Sequence, residues 1–100
     1  MIAPVASASL ISGLNAQTRV AETAAANIAN VSTDGYQAER GELVSRPLQG
    51  AAYVPLPAEG GVDLAREVVA LTVAKTSFEA MARAYSTITE TEKTGLNSLA

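Results

Sequence analysis

Residues 62–99, VDLAREVVALTVAKTSFEAMARAYSTITETEKTGLNSL, decide the fold. Asp63 follows a Gly-Gly break and has the side chain of a helix N-cap. Leu64, Leu71, Phe78, Tyr85 and Leu99 then recur every seven residues, with Glu92 the single interruption. Ala74, Met81 and Ile88 supply a companion position three residues on, and Val68, Ala82 and Leu96 widen the stripe. A sustained seven-residue repeat is the pattern of helices packed side by side at a shallow angle. Unbroken, such a helix runs roughly 54 Å at ~1.5 Å per residue. A compact chain of 100 residues is only about 26 Å across, so an elongated molecule is expected. Gly95 is the expected place for the end to fray.

The opening segment, from about Val5 to Asn30, reads as the partner helix. Leu10, Leu14, Gln17, Ala21, Ala24, Ile28 and Val31 alternate at spacings of four and three, a seam with one polar intruder. Ala16, Ala24, Ala25, Ala26 and Ala29 favour helix and keep it thin. Gly13 costs about 1 kcal/mol inside a helix and so requires a packing reason or a frayed start. At ~38 Å this helix covers only part of the second. Leu96 and Leu99 are then expected to face something outside the chain.

Between them, about Gln37 to Gly61, stand Pro47, Pro55 and Pro57 and four glycines. Leu43-Val44 and Tyr53-Val54 suit a short hairpin around Arg46-Pro47-Leu48-Gln49-Gly50. Two short strands are marginal alone, so an extended or weakly paired connection lying on a helix or on a neighbouring chain is expected. The expected organisation is one structural unit in three parts: residues 1–36, helix and turn; 37–61, connecting loop or hairpin; 62–100, second helix.

Composition narrows the function. Nearly half of the chain is apolar, but twenty residues are alanine and four are aromatic. At about 25 cal/mol per Å² a core of alanines is thin. No cysteine is available for a disulfide, and no histidine or cysteine for zinc. Association with other chains is the remaining stabiliser. The net charge is −3, and the seven basic residues are scattered at Arg19, Arg40, Arg46, Arg66, Lys75, Arg83 and Lys93. That pattern does not fit a nucleic-acid partner. Residues 1–18 are uncharged, but they lack a basic start and are broken by Pro4, Gly13 and several polar residues. Neither a secretory signal nor a membrane span matches them. Without histidine or cysteine, and with scattered acids, no active site is assembled by pattern; Glu90 and Glu92 point to different sides of a helix. No cofactor is implied.

The most specific stretch is Ala26-Asn27-Ile28-Ala29-Asn30-Val31-Ser32-Thr33-Asp34-Gly35-Tyr36. A helix end and a turn account for Asn30 and for Gly35, which is expected at positive φ. Asn27 and Asn30, three apart on one alanine-rich side, are not explained by capping. Their amides are candidates to bond the following loop or an adjacent chain.

Here the sequence resembles the axial proteins of the bacterial flagellum, the rod and hook proteins. The resemblance rests on Ser12-Gly13-Leu14, Ala16-Gln17, Ala26-Asn27-Ile28-Ala29-Asn30 and Thr33-Asp34-Gly35-Tyr36 at the front. At the back it rests on Val62-Asp63-Leu64, Glu67, Val69, Ala74, Phe78 and Glu79-Ala80. Ala26 stands where the family often has asparagine, Lys75-Thr76 where it has Gln-Arg, and the middle is short, as in the small proximal-rod members.

The resemblance implies a mainly α fold, two long terminal helices packed as an elongated coiled-coil hairpin. It implies a structural, non-enzymatic subunit of the basal-body rod, in the periplasm. Export would be unfolded, through the flagellar type III apparatus, without a cleaved signal. The expected partners are copies of the chain, other rod and hook proteins and that export apparatus, with no membrane insertion. The residues expected to carry packing are Leu10, Leu14, Ile28, Leu64, Leu71, Phe78, Met81, Tyr85 and Ile88. The family motif adds Ser12, Gly13, Asn27, Ala29, Asn30, Thr33, Gly35, Tyr36, Asp63 and Glu67. The alternative is a helical-hairpin adaptor or assembly regulator that binds rod subunits without joining the rod.

Overall fold

A computed structural model describes residues 3–99. Helix α1 spans Ala3–Ala29. Its first turn accommodates Pro4, whose missing N–H has no helical partner to lose there. After Ala29 the Asn30 side chain bonds back to the Ala26 carbonyl at 2.9 Å, and Thr33–Tyr36 closes a turn at 3.2 Å. Gly35 sits in it at φ 74, as the Asp-Gly pair requires.

Strands β1 (Arg40–Arg46) and β2 (Gly50–Leu56) form an antiparallel hairpin, with Leu43 opposite Tyr53 and Val44 opposite Ala52. The pairing is longer and more regular than the weakly paired connection expected from its prolines and glycines. The reason is its support: β2 lies along α1, which supplies the covered face that two isolated strands lack. A Cβ on Gly50 would stand 2.8 Å from the Ser9 backbone, so glycine lets strand and helix touch. Gly41 leaves room for the Tyr53 ring, which covers it from the opposing strand.

Helix α2 spans Leu64–Leu99, capped by Asp63 through Arg66 N–H at 3.2 Å. It runs antiparallel to α1: Gly13 faces Met81 near one end, and Ala24 shares a cleft with Glu67 and Ala70 near the other. Gly13 has the packing reason that its helix position demands. The Met81 sulfur occupies the space where a Cβ would fall, 2.6 Å away. The molecule extends 63 × 23 × 14 Å, and its radius of gyration is 17.3 Å, against about 13 Å for a compact chain of this length.

Candidate assembly interface

The interior is built from small side chains. The buried apolar residues among those described are Ala16, Ala24, Ala38 and Ala74, joined by Gln17 and by Asn27, the largest side chain that is wholly enclosed. Alanine lets two helices and a strand approach closely, but it removes little apolar area from water. The surface left over is correspondingly large. The chain exposes 6864 Å², whereas a compact monomer of 10.2 kDa exposes about 5,300 Å².

Asn27 organises one end of the molecule. Its Nδ2 donates to the Glu39 carbonyl at 3.0 Å, and the Glu39 N–H donates back to Oδ1 at 2.8 Å. The Tyr36 hydroxyl donates to the same Oδ1 at 3.0 Å. On the other side of this extended segment, Ala38 N–H donates to the Gly60 carbonyl and Glu59 N–H to the Ala38 carbonyl. Successive residues of a strand present their peptide groups to opposite sides. The 38–39 segment is therefore held on one side by a side-chain amide acting as a strand neighbour and on the other by residues 59–60. Within the chain, the Asn27 amide thus bonds the loop that follows its own helix. Asn30 instead closes its own helix end and accepts from Thr33 Oγ1 at 3.2 Å.

Partial burial, and then the carboxylates of Glu39 and Glu67, push the Tyr36 phenol above its ordinary value of 10.0. The proton thus stays on the oxygen that donates to Asn27. Glu67, one turn into α2, is half-buried at this junction, and Asp63 caps the same helix. An exposed Arg40–Glu59 pair at 2.6 Å closes the base of the hairpin, where solvent makes it worth little.

The residues expected to pack fall into two groups. Leu10, Leu14, Ile28, Leu71, Met81 and Ile88 are half-buried. Leu64, Phe78 and Tyr85 remain largely exposed, at 47%, 40% and 36%. The inner line of α2 is the companion position, centred on Ala74, and the Leu64–Phe78 line flanks it. In α1 the most buried residues are Gly13, Ala16, Gln17, Ala24 and Asn27, turned from the Leu10–Leu14 line toward the hairpin. Ser12 and Gly13 lie on this covered side, whereas Ala29, Thr33 and Gly35 are exposed.

A second face of α1, outside its apolar periodicity, is covered by β2. Ser9, Ser12, Ala16, Arg19 and Thr23 lie along it, against Gly50, Ala51, Ala52 and Tyr53. Thr23 and Tyr53 share a hydroxyl hydrogen bond of 2.8 Å, and the Arg19 guanidinium stands 5.3 Å from the centre of the Tyr53 ring. The available signal was a run of small and short polar residues at helical spacing.

On the side away from the hairpin, α1 and α2 leave a shallow apolar groove. Gln17, Thr18 and Ala21 form one wall; Leu71, Lys75 and Phe78 form the other. Beyond Ile88 every described residue of α2 is exposed, including Leu96 at 69% and Leu99 at 85%. Among the described residues no group of three His, Cys, Asp or Glu side chains is placed to hold a metal ion. No described helix is long and apolar enough to cross a membrane.

Residues 9–37 match the family model described as flagella basal body rod protein. The matched span contains the α1 seam, Asn27 and Tyr36, and the Gly35 turn; Glu39, which pairs with Asn27, lies just beyond it. The match bears out the resemblance over the front of the chain and supports a structural, rod-related role. No curated protein matches the chain.

Proposed function

We propose that this chain, whose residues 9–37 carry the flagella basal body rod segment, is a subunit of the bacterial flagellar basal-body rod. Its two long helices are the axial part, and the hairpin lies along α1. The observation that carries the proposal is the uncovered seam. The apolar stripe of α2 continues past the end of α1, so Leu96 and Leu99 have no cover within the described chain. A subunit whose neighbours complete its core needs such a surface, and an independent domain does not.

Export follows the same physics. A chain held by alanine contacts and the Asn27 hydrogen bonds is marginal alone, so it unfolds readily for passage through a narrow export channel and folds on arrival. The rod lies in the periplasm, and the partners are other copies and other rod and hook proteins. The test is fractionation of basal bodies from cells that carry a tagged chain. A rod subunit stays with the particle through salt and detergent washing. Complete release into the wash overturns the proposal and points to an adaptor that only visits the rod.

A further inference from the structure

We propose that the α2 overhang of one copy docks, parallel and staggered, into the α1–α2 groove of a second copy. The inference rests on the rod reading and names the contact that joins two copies. The overhang carries Leu96 and Leu99 on the side of the helix that continues the Ile88 line, with Glu92 between Ile88 and Leu96. A lone carboxylate there is unfavourable beside apolar groups unless its partner brings donors. The groove has both features. Ala21, Leu71 and Phe78 give it apolar walls, and Gln17 and Lys75 place an amide and an ammonium among them. Gln17 and Glu92 are the polar interruptions of the two seams, and this contact sets them opposite each other. Lys93 of the overhang, one residue on, meets the acidic rim formed by Glu22 and Glu79.

The geometry is that of a helix laid into the furrow between two others, which adds a third helix to the pair. Setting Glu92 level with Lys75 of the neighbour shifts one copy along the other by 17 residues of α2, roughly 26 Å at ~1.5 Å per residue. The overhang and the groove are different surfaces, so each copy has one of each to offer. Repetition therefore propagates and does not close into a twofold dimer.

The chain contains no cysteine, so single cysteines report contacts cleanly. Full-length Leu96→Cys is mixed under oxidising conditions with full-length Thr18→Cys, in the groove wall, or with Ser45→Cys, on the exposed outer strand. The groove pair is expected to cross-link about ten-fold more than the strand pair. In cysteine-free chains, Lys75→Glu is expected to weaken self-association about ten-fold, the size of one unfavourable interfacial charge pair. Adding Glu92→Lys to the same chain restores it. All these positions except Gln17, which is left untouched, are exposed, and unchanged helicity by circular dichroism verifies that the variants fold.

Equal cross-linking at groove and strand overturns the docking, as does a charge swap without rescue or an absence of self-association. Retention in washed basal bodies is scored separately. Retention without the groove cross-link removes this contact and leaves the rod reading standing; loss from basal bodies removes the rod reading itself.

Discussion

The Asn27 carboxamide and the Glu39 peptide group form a closed pair of hydrogen bonds, 3.0 and 2.8 Å long, across twelve residues of sequence. A primary amide presents one donor and one acceptor at the spacing of a backbone peptide, so it completes a strand edge where no strand is available. Asn27→Ala leaves the Glu39 N–H and carbonyl, and the Tyr36 hydroxyl, without their shared partner. The expected loss is about 2–3 kcal/mol, the penalty of stranded polar groups in a covered site. Amide hydrogen exchange at Glu39 should accelerate with it. Unchanged exchange at Glu39 in the variant would show that the pair is dispensable.

Alkaline titration should loosen the same cluster. The native Tyr36 phenol is raised above 10.0 by partial burial and by Glu39 and Glu67. Below that pH both native and unfolded chains keep the proton, and the stabilisation is complete. As pH rises through the ordinary value the unfolded chain releases its proton first, and stability falls until the native group also ionises. Tyr36→Phe removes this component. Comparing the thermal midpoints of the two proteins from pH 8 to 11 checks it: wild type should lose more than the variant.

Three glycines should respond differently to alanine. At Gly50, φ is 80 and the Ser9 backbone is 2.8 Å from the new Cβ; the backbone cannot step aside, so Gly50→Ala should detach the hairpin and cost more than about 2 kcal/mol. At Gly35, φ is 74 but the space is open, so only the left-handed penalty of about 1–2 kcal/mol applies. At Gly13 the obstacle is the flexible end of Met81, and the helix gains about 1 kcal/mol from alanine, so the change should be close to neutral. Chemical denaturation of the three variants gives the order directly.

Leu48, at φ 64, is the one non-glycine residue at positive φ among those described, and its side chain is exposed at the hairpin tip. Leu48→Asn keeps the turn with a residue that tolerates this conformation, and it avoids glycine's extra freedom in the unfolded chain. A gain of up to about 1 kcal/mol in folding stability is expected, read from the denaturant midpoint at unchanged slope.

Much of this was readable from sequence because it depends on near neighbours. The Asp63 cap, the Gly35 turn and the Ala74–Met81–Ile88 line follow from spacing and from residue chemistry within a few positions. The hairpin's location was visible in Leu43-Val44 and Tyr53-Val54, but its length was not. Ala51, Ala52 and Pro55 are poor strand formers, and they are held in register by lying on α1. The Asn27–Glu39 pair joins a helix interior to a loop, and no periodicity reports such a link. The rotation of the buried arc of α1 has the same origin: a seam read for one partner cannot anticipate the strand that covers the adjoining face.

The four buried alanines have a thermal consequence. The heat-capacity increment of unfolding follows the apolar area newly hydrated, about 1.2–1.5 kcal/mol/K for an ordinary domain of 100 residues. Methyl-sized core groups supply less of that area, so a lone copy should show a smaller increment and a flatter dependence of stability on temperature. It should melt gradually in the calorimeter, and a sharp endotherm should return as neighbours come together.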